Sequence, residues 1–433
     1  MENKRVLRIE YDNAYPLWSM LIAMALILAS PFVSVYLNYA AMAICMYRVL
    51  RFDAKTFATD YVLLAPVAGI FKMPGGLTLL ILLCLFAAVA YFLREGIKAD
   101  KAFFVVLALL NYLLLRMEMN FTAYLLCFGQ MFLLWILLPK QDGASAIRTA
   151  KVYCTGLLIV SIYALLLSNT SQIQALIGSG SEAIWGLGIM RFHGLVGDPN
   201  FYMTELLVGV ALLAKLKETG NINLLTFILE GLAMVTLGIL TYSKTFLVAL
   251  VIFVAVYIVW QFRNKRLVLG IVLVAAVAIS AEFLLLSEDS PFAVVVQRFM
   301  GGEDINDLTT GRSEIFRQYS EAIVKTPGSL FFGYGLGPNT LEKDPHNIYL
   351  EVLYHTGIVG FVLISGFVGS MVSVLKHQES FASQQSFISK YVVLGMVLVL
   401  FMTLNGLFMV EVYPSFFLGL LAILIPPKDL IQA

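Results

Sequence analysis

Apolar runs near the length that crosses a lipid bilayer recur from one end of this chain to the other. They lie near 17–36, 38–50, 58–71, 77–93, 102–116, 121–138, 150–168, 203–216, 222–240, 245–260, 266–286, 348–374, 390–409 and 412–426, separated by short charged connections. No soluble core could hide a composition that is 60% hydrophobic and only 13% charged. The expected fold is an all-α polytopic membrane protein of about twelve to fourteen transmembrane helices with a large helical extracytoplasmic loop. The runs 38–50 and 58–71 fall short of a normal span and predict a re-entrant or broken pair.

Charge and cysteine usage remove other classes. A net charge of +1 leaves no basic excess for nucleic acid. Cys45, Cys84, Cys127 and Cys154 all lie inside apolar runs, where they act as small hydrophobes and offer neither a disulfide framework nor zinc spacing. The segment Met1 to Tyr15 is charged and lacks a cleavage-type pattern, so the first span is expected to act as its own insertion signal.

Basic residues accumulate in cytoplasmic connections, which sets the expected orientation. With the N-terminus inside, all but nine of the 29 Lys and Arg residues fall on the cytoplasmic side. The exceptions are Lys72, Arg116, Arg191, Lys244, Arg298, Arg312, Arg317, Lys325 and Lys343. Both termini are then expected in the cytoplasm. The chain divides into N-terminal transmembrane helices (1–149), central helices with a first extracytoplasmic loop at 169–202 (150–286), a large extracytoplasmic loop (287–346) and C-terminal helices (347–433).

The large loop has a helical pattern of its own. Asp304 to Thr310 leads into Gly311-Arg312, after which Ile315, Tyr319, Ala322 and Ile323 recur at helical spacing until Thr326-Pro327-Gly328. The pattern predicts an amphipathic helix over the membrane part. Arg312 falls in its first turn, where the helix dipole mildly disfavours a cation. A site gathering positive charge for an anion would explain that placement.

Where this loop meets the next apolar run stands Pro345-His346-Asn347. Asn347, Glu351 and His355 share one face at four-residue spacing and predict a polar stripe descending about two turns into the bilayer. Ionisable groups there are costly unless paired or facing a wet cavity, which makes them functional candidates.

Three outer segments carry a family resemblance. The first runs Arg191-Phe192-His193-Gly194-Leu195-Val196-Gly197-Asp198-Pro199-Asn200 into a span carrying Glu205. The second is Thr310-Gly311-Arg312. The third, Phe332-Gly333-Tyr334-Gly335-Leu336-Gly337, continues to Asp344-Pro345-His346-Asn347. In order and spacing they resemble the bacterial O-antigen ligase and polymerase superfamily. Its members carry an Arg before an Asp-Pro-Asn turn, a Gly-Arg opening a loop helix, a Gly-rich turn, and His-Asn followed nine residues later by Gly-x-x-Gly. Here nine residues, Ile348 to Thr356, separate Asn347 from Gly357, and Gly360 follows. Ser243-Lys244 departs from the Ser-Arg of many relatives, supplying charge without the planar fork of a guanidinium.

The resemblance implies glycosyl transfer without metal or cofactor, on the outer face of the bacterial cytoplasmic (inner) membrane. A glycan on undecaprenyl diphosphate would pass, with inversion, to an acceptor sugar hydroxyl, polymerising O-antigen, capsule or exopolysaccharide repeat units. The residues agree with that chemistry. A diphosphate leaving group needs cations aimed at its oxygens, and Arg191, Arg312 and Lys244 are the candidates. His346 is the candidate general base or acceptor orienter. Asp198, Asn200, Asn347 and Glu351 are candidates to orient sugar or base, with His193 and His355 second in rank. No acidic pair with the spacing of a Mg²⁺ or Ca²⁺ site stands at a membrane boundary.

Expected partners are the lipid-linked oligosaccharide donor, a glycan acceptor, membrane lipid and a chain-length regulator protein. Two other readings fit parts of the pattern. A ligase would hand finished glycan to lipid A-core, protein or wall polymer, and the sequence does not separate it from a polymerase. A flippase would also place Arg, Glu and His within spans, but it has no need of a large structured outer loop with a Gly-rich turn.

Overall fold

The computed structural model describes residues 16–74, 76–96, 101–117, 121–177, 191–263, 311–336, 341, 343–378, 387–404 and 412–428. The apolar run 266–286, the segment Asp304 to Thr310, Arg298 and Gly337 lie outside them. The helices are α1 Leu17–Ala29, α2 Leu37–Arg51, α3 Ala54–Leu64, α4 Leu79–Glu95, α5 Lys101–Leu115, α6 Phe121–Leu137, α7 Gly143–Leu167, α8 Ser171–Ile177, α9 Pro199–Glu218, α10 Leu224–Ile239 and α11 Lys244–Arg263. They continue as α12 Arg312–Val324, α13 Pro327–Phe332, α14 Ile348–Gln378, α15 Phe387–Leu400 and α16 Val412–Leu421. Among the described residues no strand forms, and one isolated antiparallel bridge joins Lys72 to Thr78.

The helices wear their apolar surface outward. Leu93, Leu115, Leu166 and Val251 are exposed, while Arg48, Asp60 and Lys215 are buried. That inversion suits hydrocarbon surroundings, in which polar groups turn to the bundle interior. The stretches Gly143–Leu167 and Ile348–Leu375 are long and apolar enough to cross a membrane, and shorter apolar helices of 10–17 residues accompany them.

Polar contacts sort the helix termini into two ends. At one end Gln141 Nε2 donates to Ala54 O, Asn221 Nδ2 to Pro426 O, and Lys215 Nζ to Ser389 O, while Arg94 reaches the carbonyls of Val49, Leu50 and Phe52. At the other, Asn38 Nδ2 donates to Ile70 O and Lys72 O, Phe192 N to Leu240 O, Leu336 N to Arg116 O, and Ile348 N to Phe401 O. By these contacts Arg94, Lys215 and Lys428 belong to the first end, and Lys72, Arg116, Arg191 and Lys244 belong to the second.

The short runs 38–50 and 58–71 become the antiparallel pair α2 and α3. Asn38 ties its start to the end of the other, and a buried Arg48–Asp60 pair joins them lower down, Nε to Oδ2 at 2.8 Å and Nη2 to Oδ1 at 2.7 Å. Arg48 Nη1 also donates to Pro16 O and Ser19 Oγ, so one guanidinium satisfies three elements at once. Helix starts differ from the hydropathy boundaries for a local reason. α7 begins at Gly143 because Asp142 and Ser145 form a reciprocal capping box ahead of the apolar residues. α9 begins at Pro199, capped by Asp198 with Pro at its first position.

The expected stripe down α14 requires correction. Gly357 interrupts the helix at φ 62°, ψ −170°, so residues 348–356 form a short helix separate from the long segment after it. Asn347, Glu351 and His355 ride on that short helix and do not descend a continuous span. Over it lies a small second core of Ile315, Tyr319, Ile323 and Tyr354, with Tyr334 and Leu353 packed against it. The α12 residues are those whose spacing predicted the amphipathic helix; Tyr354 comes from α14.

Candidate active site

Cationic residues collect where the segment 191–200 meets the turn between α10 and α11. Phe192 N donates to Leu240 O at 3.0 Å, laying the segment along the turn. Arg191, 9% exposed, donates from Nε to Thr241 O at 2.9 Å, and its Nη2 approaches Asn200 Oδ1 at 3.5 Å. Ser243 Oγ approaches the same Asn200 oxygen at 3.5 Å. Asp198 caps α9, accepting from Asn200 N at 2.6 Å. Buried His193 lies in the same segment: burial pushes its pKa down and favours the neutral ring, while the backbone at Gly194 and the Asp198 carboxylate pull the other way.

Arg312 joins this group from α12. Burial pushes its pKa down and the Asp198 carboxylate pushes it back up, so the two motifs share one electrostatic environment. The other arginine of α12 is engaged elsewhere: exposed Arg317 pairs with Glu314 at 2.6 Å and Glu321 at 2.8 Å. Lys244 opens α11 as Arg312 opens α12. Each cation therefore stands at a positive helix end, a tension that a bound anion relieves.

The histidine side is built on the start of α14. Asn347 accepts at Oδ1 from Tyr349 N at 3.0 Å and Leu350 N at 3.2 Å, capping the helix. The cap occupies the side-chain oxygen that the sequence reading offers to sugar. Ile348 N donates to Phe401 O, and Tyr349 OH to Leu398 O, fixing the helix on the end of α15. Glu351 is buried in its first turn. His346, half-buried, holds φ at 46°, a left-handed conformation uncommon for a residue other than glycine.

The Gly-rich turn clasps the far end of this short helix. Tyr334 N donates to Tyr354 O at 2.8 Å, Gly335 N to His355 O at 2.9 Å, and His355 Nδ1 lies 2.7 Å from Gly335 O. His355 is thereby held by the turn. Two residues of α5 and its end, which the sequence reading passed over, lock the junction. Tyr112 OH donates to Thr356 O at 2.6 Å and Phe332 O at 3.2 Å, and Arg116 Nη2 donates to Gly333 O at 2.9 Å. Position gave the one available signal: Arg116 ends an apolar run at the end of the bundle where the motifs gather.

α12 connects the two groups. Its first residue, Arg312, feels the Asp198 carboxylate, and its buried face packs on Tyr354, with Tyr319 and Tyr354 ring centroids 4.9 Å apart. Arg191, Asn200, Ser243 and Asp198 are thus brought together by contact, and Arg312 is coupled to them through the field of Asp198. His346, Asn347, Glu351 and His355 gather on the short helix under the same roof.

A helical membrane protein with a capped, roofed histidine helix and a separate group of cations around the buried Arg191 is the class these features define. Residues 231–365 match the family model described as O-antigen ligase. That match supports membership of the O-antigen ligase and polymerase superfamily, whose members are integral membrane proteins of glycosyltransferase-like activity. The matched stretch holds Lys244, Arg312, His346, Asn347 and Glu351, and leaves Arg191, Asp198 and Asn200 outside. No curated protein matches the chain.

Proposed function

We propose that this protein is an inverting, metal-independent glycosyltransferase that moves a glycan from undecaprenyl diphosphate to an acceptor sugar hydroxyl, polymerising repeat units of O-antigen, capsule or exopolysaccharide. The placement of α12 supports the reading: Arg312 opens it, and its buried face packs on Tyr354 of the helix that His346 and Asn347 open. As the acceptor oxygen bonds to the anomeric carbon, His346 takes its proton and the carbon–oxygen bond to the diphosphate breaks. The departing charge falls to Arg191, Arg312 and Lys244. Displacement in one attack inverts the anomeric carbon. Glu351 and Asn200 orient the sugar or the base.

The basic-rich end of the bundle faces the cytoplasm in this reading, so the site faces outward from the cytoplasmic membrane, across about twelve to fourteen spans. A chain-length regulator is its protein partner. A ligase forms the second reading, favoured by the description of the matching family model. Reconstitution in lipid with a synthetic donor tests both. Lengthened lipid-linked product supports the polymerase, and transfer only to a separate acceptor supports the ligase. Lipid translocation with no transfer rejects both.

The cation assignment has its own test. Arg191→Ala and Arg312→Ala are each expected to lower transfer by about 10²–10³-fold, with the protein still in the membrane. Lysine at either position should restore little, since a point charge does not copy a bidentate fork. Transfer near the parent rate in both alanine variants would make these arginines loop residues.

A further inference from the structure

Among the described residues two other than glycine hold a left-handed backbone: His346, and Tyr242 at φ 50°. Glycine or asparagine is the usual occupant of such a position, because Cβ crowds the backbone there. A bulky side chain at that angle persists only where its surroundings over-determine it, and such outliers cluster at functional sites. The turn that carries Tyr242 is held at several points. Its N–H donates to Ile239 O at 2.9 Å, and Thr241 before it donates from Oγ1 to Gly238 O at 2.6 Å. The Thr241 carbonyl receives Arg191 Nε. Ser243 after it donates its N–H to Thr241 Oγ1 at 3.3 Å.

The turn therefore fixes a tyrosine between the carbonyl that anchors Arg191 and the Ser243-Lys244 pair. Tyr242 is half-buried, and burial pushes its phenol pKa up, so the hydroxyl keeps its proton and remains a donor. Its neighbours along the turn are cations and hydroxyls, which suit an anion better than an apolar sugar face. We infer that Tyr242 is a substrate-contacting residue whose hydroxyl donates a hydrogen bond to an oxygen of the donor's diphosphate beside Arg191. The inference rests on the glycosyl-transfer reading above.

Two substitutions separate this role from a packing role. Tyr242→Gly removes the side chain and the backbone penalty together, whereas Tyr242→Phe removes the hydroxyl alone. The full chain is reconstituted in lipid and assayed with a synthetic polyprenyl-diphosphate glycan, and inhibition by inorganic diphosphate is measured alongside. The glycine variant is expected to melt at or above the parent temperature, yet both variants lose about tenfold to a hundredfold in transfer. Inorganic diphosphate should inhibit the phenylalanine variant more weakly than the parent, a change that a packing role would not produce. Parent-level transfer in the glycine variant overturns the inference. Retained transfer and inhibition in the phenylalanine variant, with loss in the glycine variant, overturn the hydroxyl's role. A parent protein that neither transfers glycan nor binds inorganic diphosphate defeats the underlying reading, and the inference with it.

Discussion

Alanine at His346 is expected to lower glycan transfer by about 10²–10⁴-fold, the range that removal of a general base produces. Binding of the polyprenyl-diphosphate donor should persist, since the cations that hold it stand on other elements. Asparagine makes the sharper variant. It tolerates the left-handed backbone that His346 adopts at φ 46°, so the turn into α14 should survive while the proton acceptor is lost. His346→Asn is therefore expected to melt close to the parent and to be as inactive as His346→Ala. In the parent, activity should fall on the acid side, because an imidazolium cannot accept the acceptor's proton. Normal product from either variant, or a flat acid limb, would remove His346 from the mechanism.

Part of this arrangement is legible in the sequence. The spacing of Ile315, Tyr319 and Ile323 marks the buried face of α12, since a helix must bury an apolar stripe wherever it lies. What hydropathy missed is of two kinds. Caps such as Asp142 begin a helix in polar sequence, so α7 starts seven residues before its apolar run. Asn347 stands where an N-cap belongs, immediately ahead of an apolar run, and that signal could have separated its capping role from sugar binding.

The second kind of miss is non-local. A glycine within an apolar run reads as a tolerated helix residue. Nothing near Gly357 announces that the backbone of α13 passes against it. Tyr112 is equally silent, and Arg116 signals no more than its position, for their partners lie more than two hundred positions along the chain. The three motifs could be recognised as a set, but how they meet depends on those contacts.

Those contacts make Gly357 the position with the largest expected effect on folding. A Cβ built there would lie 2.4 Å from the Phe331 carbonyl carbon and oxygen and 2.5 Å from Phe332 N. All three are backbone atoms, which cannot rotate away as a side chain could. Gly333, on the opposite side, would meet the His355 carbonyl carbon at 2.5 Å, so the two glycines together allow the chains to touch. Gly357→Ala adds the left-handed penalty to the clash, and a destabilisation of about 2–5 kcal/mol is expected. Because the displaced pieces are α13 and the short helix, transfer should be lost and the loop at 311–336 should become sensitive to protease. Gly369 in the same helix supplies the control: no atom lies within 4 Å of its Cβ position, so Gly369→Ala should melt at or above the parent temperature. Thermal midpoints in detergent and limited proteolysis measure the contrast. Equal midpoints for Gly357→Ala and the parent would mean that the Gly-rich turn does not hold the short helix, and the positioning of His346 would need another cause.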